Sequence, residues 1–238
     1  MRLVGGSCLA AVVSLFVAAC GGHGKGADAP ATGAAAEGAR LCSLGDANDC
    51  STQCVTNHHA GSCMELGAMY EVGRSVGVDT KRATELYIQA CDLGNGFGCS
   101  SAGYMFGTGT GVAKDYAKGI DLYKRACNYG VGQGCYNLGV MYESGFGVTR
   151  DYPTALLEFE YACLVGTAAG CSSAGVYYFI GRGVTANRER GFGLLQQGCA
   201  GGDKKGCDGL AQITGGGAPK SGDSSGAKGS SGSSGSSM

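Results

Sequence analysis

The chain has 238 residues, a formal net charge of −1 and 16% charged residues. So even a balance supplies no strong basic or acidic field, and the sequence gives no footprint of a nucleic-acid binder. Glycine is abundant at 47 residues and tryptophan is absent, so the folded units have thin cores.

Residues 1–19 read as an export signal. Arg2 supplies a short positive region, and Leu9 to Ala19 form an apolar stretch too short to cross a bilayer. The stretch closes as Val17-Ala18-Ala19-Cys20, which resembles the lipobox of bacterial lipoproteins. The resemblance implies cleavage before Cys20 and lipidation of that residue, so that acyl chains hold the protein on a membrane surface. Gly21 follows instead of Asp, which in a double-membrane bacterium resembles an outer-membrane address. The expected location is the bacterial cell envelope, lipid-anchored at the outer membrane on its periplasmic or surface face. A cleaved signal without lipid is the plainer alternative. Residues 20–41 hold the lipidated Cys20 and then a flexible tether, whose small residues have almost nothing to bury.

Twelve cysteines remain beyond Cys8 and Cys20. Cys63, Cys99, Cys135, Cys171 and Cys207 are each 36 residues apart, and Cys91, Cys127, Cys163 and Cys199 keep the same interval. A beat this strict marks a repeat architecture. Export places these thiols where disulfides persist. The period permits either a short C-x7-C pairing or a long pairing such as Cys63 to Cys91. Long pairing strands Cys54 at one end and Cys207 at the other, whereas short pairing uses every cysteine. The expected bridges are Cys42–Cys50, Cys54–Cys63, Cys91–Cys99, Cys127–Cys135, Cys163–Cys171 and Cys199–Cys207. Each closes a short loop worth roughly 2–3 kcal/mol on the chain-entropy model. Residues 42–62 form a disulfide-bonded N-terminal cap. Within it, Cys50, Cys54, His58, His59 and Cys63 lie close enough in sequence to suit tetrahedral zinc. That assignment orphans Cys42, so the disulfide reading is preferred and no metal site or cofactor is expected.

Residues 63–214 hold about four repeats and a terminal half-repeat, each full unit reading as two helices. The first begins at the second Cys of a pair. In one copy Cys135, Leu138, Gly139 and Tyr142 fall on one helical face. Gly67, Gly103, Gly139 and Gly175 recur on that face, where a helical glycine costs about 1 kcal/mol against Ala and so points to close packing. A turn follows, as in Gly109-Thr110-Gly111-Val112. The run Gly107 to Gly111 superficially suggests a phosphate loop, but no strand precedes it and no Gly-Lys-Ser/Thr ends it. Asp79, Asp115, Asp151 and Asn187 share one repeat position and read as N-caps of the second helix. That helix buries Ala83, Leu86, Tyr87 and Ala90 in its first copy; Glu158 breaks the stripe in the third and is expected at its exposed edge. Residues 215–238 are a Gly/Ser-rich, disordered tail.

The pattern A-C-x-x-G-x-x-x-G-C-x-x-L-G-x-M-Y-x-x-G-x-G-V-x-x-D, clearest from Ala126 to Asp151, resembles Sel-1-like repeats. Its C-x7-C bridges are similar to the Helicobacter cysteine-rich protein type. The resemblance covers roughly Cys54 to Thr214. It implies an all-α protein, an α/α superhelical solenoid of disulfide-bridged helix-turn-helix repeats of 36 residues, related to tetratricopeptide arrays. The Cys42 to Cys54 region departs from the pattern, as terminal units of solenoids commonly do.

The concave side of a solenoid is its usual binding surface. If the first helices line it, positions one, five and eight after the second Cys face the groove. These include Met64, Glu71, Tyr104, Tyr136, Val140, Glu143, Val176 and Phe179, and they differ between copies while packing positions stay fixed. Met64, Tyr104, Tyr136 and Phe179 are the expected anchors. The leading reading is a membrane-anchored exported scaffold for a protein, a peptide or a cell-envelope component. The cysteine-rich resemblance also implies penicillin binding and weak β-lactamase activity. The residues give that little support: the only S-x-x-K is Ser225 to Lys228 in the tail, and S-D-N and K-T-G are absent. No catalytic residue is assigned. A rigid spacer without a specific ligand is the third reading.

Overall fold

The computed structural model describes residues 41–215, which form ten α-helices and one π-helical turn, with no strand among them. The export signal, Cys20, the tether to Arg40 and the tail with Ser225 and Lys228 lie outside the described residues. A short α1 (Ala47–Ser51) and the π-helical turn Thr52–Thr56 make the cap. Four hairpins follow: α2 (Ala60–Val72) with α3 (Thr80–Asp92), α4 (Gly96–Thr108) with α5 (Tyr116–Asn128), α6 (Gly132–Ser144) with α7 (Tyr152–Leu164), and α8 (Ala168–Ile180) with α9 (Arg188–Ala200). A lone α10 (Lys204–Thr214) closes the array. The architecture is an all-α solenoid.

Local chemistry sets each boundary. Asp79, Asp115, Asp151 and Asn187 accept from the N–H of Arg82, Lys118, Thr154 and Arg190, satisfying a free donor in the first turn of each second helix. First helices end on left-handed Gly73, Gly109, Gly145 and Gly181, whose N–H groups donate back to the carbonyls of Met69, Met105, Met141 and Tyr177. A third bond closes every hairpin loop: the cap residue's own N–H reaches Tyr70, Phe106, Tyr142 or Tyr178 of the first helix.

First helices start three residues before the second Cys of each pair, not at it. The sequence gives no uniform warning, because their caps are dissimilar: Asn95 caps α4 with its side chain, while Val131 and Thr167 make no side-chain cap bond. Beside the cap, α2 likewise begins at Ala60, three residues before Cys63.

The early start puts the bridges where they act as staples. Cys91–Cys99, Cys127–Cys135, Cys163–Cys171 and Cys199–Cys207 each join the last turn of a second helix to the first turn of the next first helix, at Cα–Cα distances of 4.5–4.7 Å. Cys42–Cys50 and Cys54–Cys63 tie the cap to itself and to α2. So close a junction tolerates no side chain beside it. A Cβ on Gly134 would stand 2.5 Å from Ala126 Cβ and 3.0 Å from the carbonyl oxygen of Tyr123.

Within each hairpin a large side chain of the second helix lies across a glycine of the first. Tyr87, Tyr123 and Phe159 put their rings 2.7–2.8 Å from where a Cβ on Gly67, Gly103 and Gly139 would sit, and Leu195 stands 2.9 Å from that of Gly175. All four large side chains are buried. Phe159 meets Tyr136 and Tyr177 at ring-centroid distances of 5.6 and 5.5 Å, carrying the core from one hairpin into the next. Glu158, expected at an exposed edge, is half-buried instead. Burial holds its carboxyl above the ordinary 4.5, with Lys124 pulling the other way.

Curvature follows from which helices touch. First helices approach one another directly, α4 against α6 and α6 against α8, and α10 rests on α8. No pair of second helices makes a comparable contact among the described residues. The first helices therefore form the inner wall.

Candidate functional site

Two shallow depressions lie on this inner wall. The first, of about 340 Å³, is walled by Glu71 of α2, by Ser100, Ser101, Tyr104 and Met105 of α4, and by Gln133 and Asn137 of α6. The second, of about 180 Å³, is walled by Tyr136 and Glu143 of α6, by Ser172, Ser173, Val176 and Tyr177 of α8, by Arg182 from the turn after α8, and by Lys205 of α10. Helical spacing groups these residues: Tyr104 lies four after Ser100, and Asn137 four after Gln133, so each pair shares a face.

The first depression has a negative rim. Tyr87 Oη donates to Glu71 Oε2 at 2.5 Å. Burial, and then this bond to a carboxylate, push the Tyr87 phenol well above its usual range, so it stays a neutral donor. Gln133 Nε2 donates to Asn137 Oδ1 at 2.9 Å. Tyr104 is 53% exposed and presents its ring to the groove. Beneath it, Tyr123 is pushed up to about 12 by burial, with Tyr104 adding to the shift.

The second depression has mixed polarity. Arg182 Nη1 donates to Glu143 Oε1 at 3.1 Å. The buried Tyr177 hydroxyl lies against Glu143 and Arg182, both of which act on it. Burial is the main reason its phenol lies above the usual range. Val176, at 38% exposure, adds an apolar edge.

Of the expected groove residues, Tyr104, Tyr136, Glu143 and Val176 line these depressions, as does Glu71. Met64, Val140 and Phe179 line neither. Met64 and Val140 are partly buried against the core clusters of neighbouring helices. Phe179 is covered by the Arg188 guanidinium, 5.5 Å from its ring, at the start of α9. Tyr136 also serves the core through its contact with Phe159. The depressions also take in the adjoining position two after the Cys, where Ser101, Asn137 and Ser173 sit, and their floors reach the buried Met105 and Tyr177. The inner first helices pack on neighbouring first helices, α4 on α6 and α6 on α8, as well as on their own hairpin partners. Gln133 and Lys205 share the position two before the Cys. An aligned reading of that repeat position is the signal that could have found them.

Cys50, Cys54 and Cys63 are consumed by disulfides, and His59 Nδ1 accepts from the Ser62 N–H at the start of α2. None of these cysteines is a thiolate available to zinc. Among the described residues no cluster of His, Cys, Asp and Glu is arranged to hold a metal ion. No helix of the described residues is long and apolar enough to cross a membrane.

A stapled, glycine-cushioned helical hairpin on a 36-residue beat is the unit of a recognised family. The Sel1 repeat model matches residues 60–95, 98–130, 132–157 and 168–203, more than half of the chain, and the protein belongs to the Sel1 repeat family. Among solved structures it is similar to a Sel1 repeat protein from Oxalobacter formigenes (20% identity, TM-score 0.66, covering 70% of this chain and 66% of that one). It is also similar to c5321, a protective antigen of uropathogenic Escherichia coli with an SLR fold (24% identity, TM-score 0.65, covering 73% and 38%). A third structure is Helicobacter pylori cysteine rich protein B (29% identity, TM-score 0.47, covering 56% and 96%). This chain thus spans under two thirds of the length of the first two structures. Comparison with curated proteins finds no match. The fold is a solenoid scaffold suited to protein interaction, and the six disulfides among the described residues suit an exported chain.

Proposed function

We propose that this protein is a lipid-anchored scaffold of the bacterial cell envelope that holds a protein, a peptide or an envelope component against its inner wall. The observation that carries the reading is the contrast between packing and groove positions. A large side chain on a glycine repeats from hairpin to hairpin, while part of the lining changes from copy to copy, with Tyr104 and Val176 at one repeat position and Ser100 and Tyr136 at another. A constant frame with a varied inner wall is what a specific binding surface needs. Anchoring rests on the Val17-Ala18-Ala19-Cys20 motif.

Affinity capture from envelope extracts tests the binding half, using the oxidised protein and its Tyr104→Glu variant. The scaffold reading expects a partner retained by the parent and lost by the variant. A spacer enriches nothing that the variant does not. Metabolic labelling with a radioactive fatty acid tests the anchor. Label in the parent and none in Cys20→Ser is the expected result; an unlabelled parent removes the lipid from the account.

A further inference from the structure

The inner wall carries one uncompensated charge of each sign, at opposite ends. Glu71 lines the first depression, and Lys205 lines the second. Neither forms an ion pair among the described residues. The nearby charges are matched: Arg74 with Glu65, Arg182 with Glu143, and Lys204 with Asp208. The Glu71 carboxylate accepts a hydrogen bond from Tyr87 but meets no cation there. At the other end, Lys205 stands beside the matched Arg182–Glu143 pair. The wall between carries Tyr104, Tyr136 and Val176 and the matched pair of Glu143 with Arg182.

We infer that the groove selects an extended peptide segment by charge order, with a basic group at Glu71 and a carboxylate at Lys205. The inference rests on the scaffold reading and names the chemistry of its partner. Glu71 lies on α2 and Lys205 on α10, four first-helix steps apart. Packed helices stand about 8–10 Å apart, so the charges are separated by about 35 Å, or about ten residues of extended chain at about 3.3 Å each. A folded partner offering both charges on a short loop cannot reach both ends, so the fit favours an unfolded stretch or a terminal segment. Glu71 is partly sheltered, which makes its contact worth more than a fully exposed ion pair, and salt weakens both contacts.

The test is selection on the oxidised protein from a random display library of peptides long enough to span both depressions. Selected peptides are expected to carry a basic and an acidic group about ten residues apart. Replacing either by Gln should weaken binding about fivefold. Glu71→Gln should remove only the sensitivity to the basic group, and Lys205→Gln only the sensitivity to the acidic one. Analogues with free or blocked ends decide whether a chain terminus or a side chain supplies each charge. Peptides that bind the inner wall, and are weakened by Tyr104→Ala, but show no charge preference overturn the charge order and leave the scaffold reading in place. Failure to select any inner-wall peptide overturns the inference, while capture from envelope extracts decides the scaffold reading separately.

Discussion

Adding one methyl group at two glycines separates the packing argument from helix propensity. Gly139 lies inside α6 and Gly193 inside α9. Either change to Ala gains about 1 kcal/mol of intrinsic helix preference. At Gly193 nothing lies within 4 Å of the new Cβ, so Gly193→Ala should stabilise by nearly that amount. At Gly139 the new Cβ meets Phe159 Cε1 at 2.7 Å, Cδ1 at 2.8 Å and the Ala155 carbonyl oxygen at 3.2 Å. The ring cannot step aside, because it is 1% exposed and held between Tyr136 and Tyr177. Overpacking of this kind costs about 1–3 kcal/mol. Set against the propensity gain, Gly139→Ala should destabilise by up to about 2 kcal/mol. Gly139→Val, with its branch against the same ring, should cost more. Urea unfolding followed by far-UV circular dichroism reads both as midpoint shifts of opposite sign. Equal stabilisation by both Ala variants would refute the claim that the hairpin is closed by a ring on a glycine.

The staples and the half-buried carboxylate give further expectations. Replacing Cys127 and Cys135 together by Ala reopens a short loop and should cost about 2–3 kcal/mol, read in the same unfolding experiment; an unchanged midpoint would mean the bridge constrains nothing. Glu158 has a folded-state carboxyl raised above 4.5, so the native chain binds its proton more tightly than the unfolded chain does. Its contribution therefore worsens as pH rises through the window between the ordinary and the raised value. Glu158→Gln should be the more stable protein at neutral pH, with the difference closing as pH falls below 4.5, and a pH-independent difference would contradict this. Purified oxidised protein is expected not to hydrolyse nitrocefin, and turnover that persists through repurification would contradict the scaffold reading.

The frame was legible because it repeats. Four Asp or Asn residues at one position, glycines at another and two cysteine series gave the helix pairs before any coordinates. What varies between copies was harder. The starts of the first helices lie upstream of the cysteines among Gly-rich segments whose caps share no residue type, so no pattern marks them. The groove face was read only in part, because a wheel for one helix does not show the core clusters of neighbouring helices against which Met64 and Val140 pack. Arg182 and Lys205 escaped notice since each is a single charge outside the scanned positions. Glu158 looked like a surface residue because its polarity, rather than its place beside Phe159, was the visible feature.

The staple pattern itself is most directly tested by tryptic mapping without reduction. Peptides 83–114, 126–150 and 151–182 each contain both cysteines of one regular pair, and 41–74 contains both cap pairs; only Cys199 and Cys207 fall on different peptides. The account predicts each of the first three lighter by two hydrogen atoms and the fourth by four, none joined to another, with 191–204 linked to 206–220. Long-interval pairing would instead chain 41–74, 83–114, 126–150 and 151–182 together, and finding those cross-linked species, or free thiols, would contradict it.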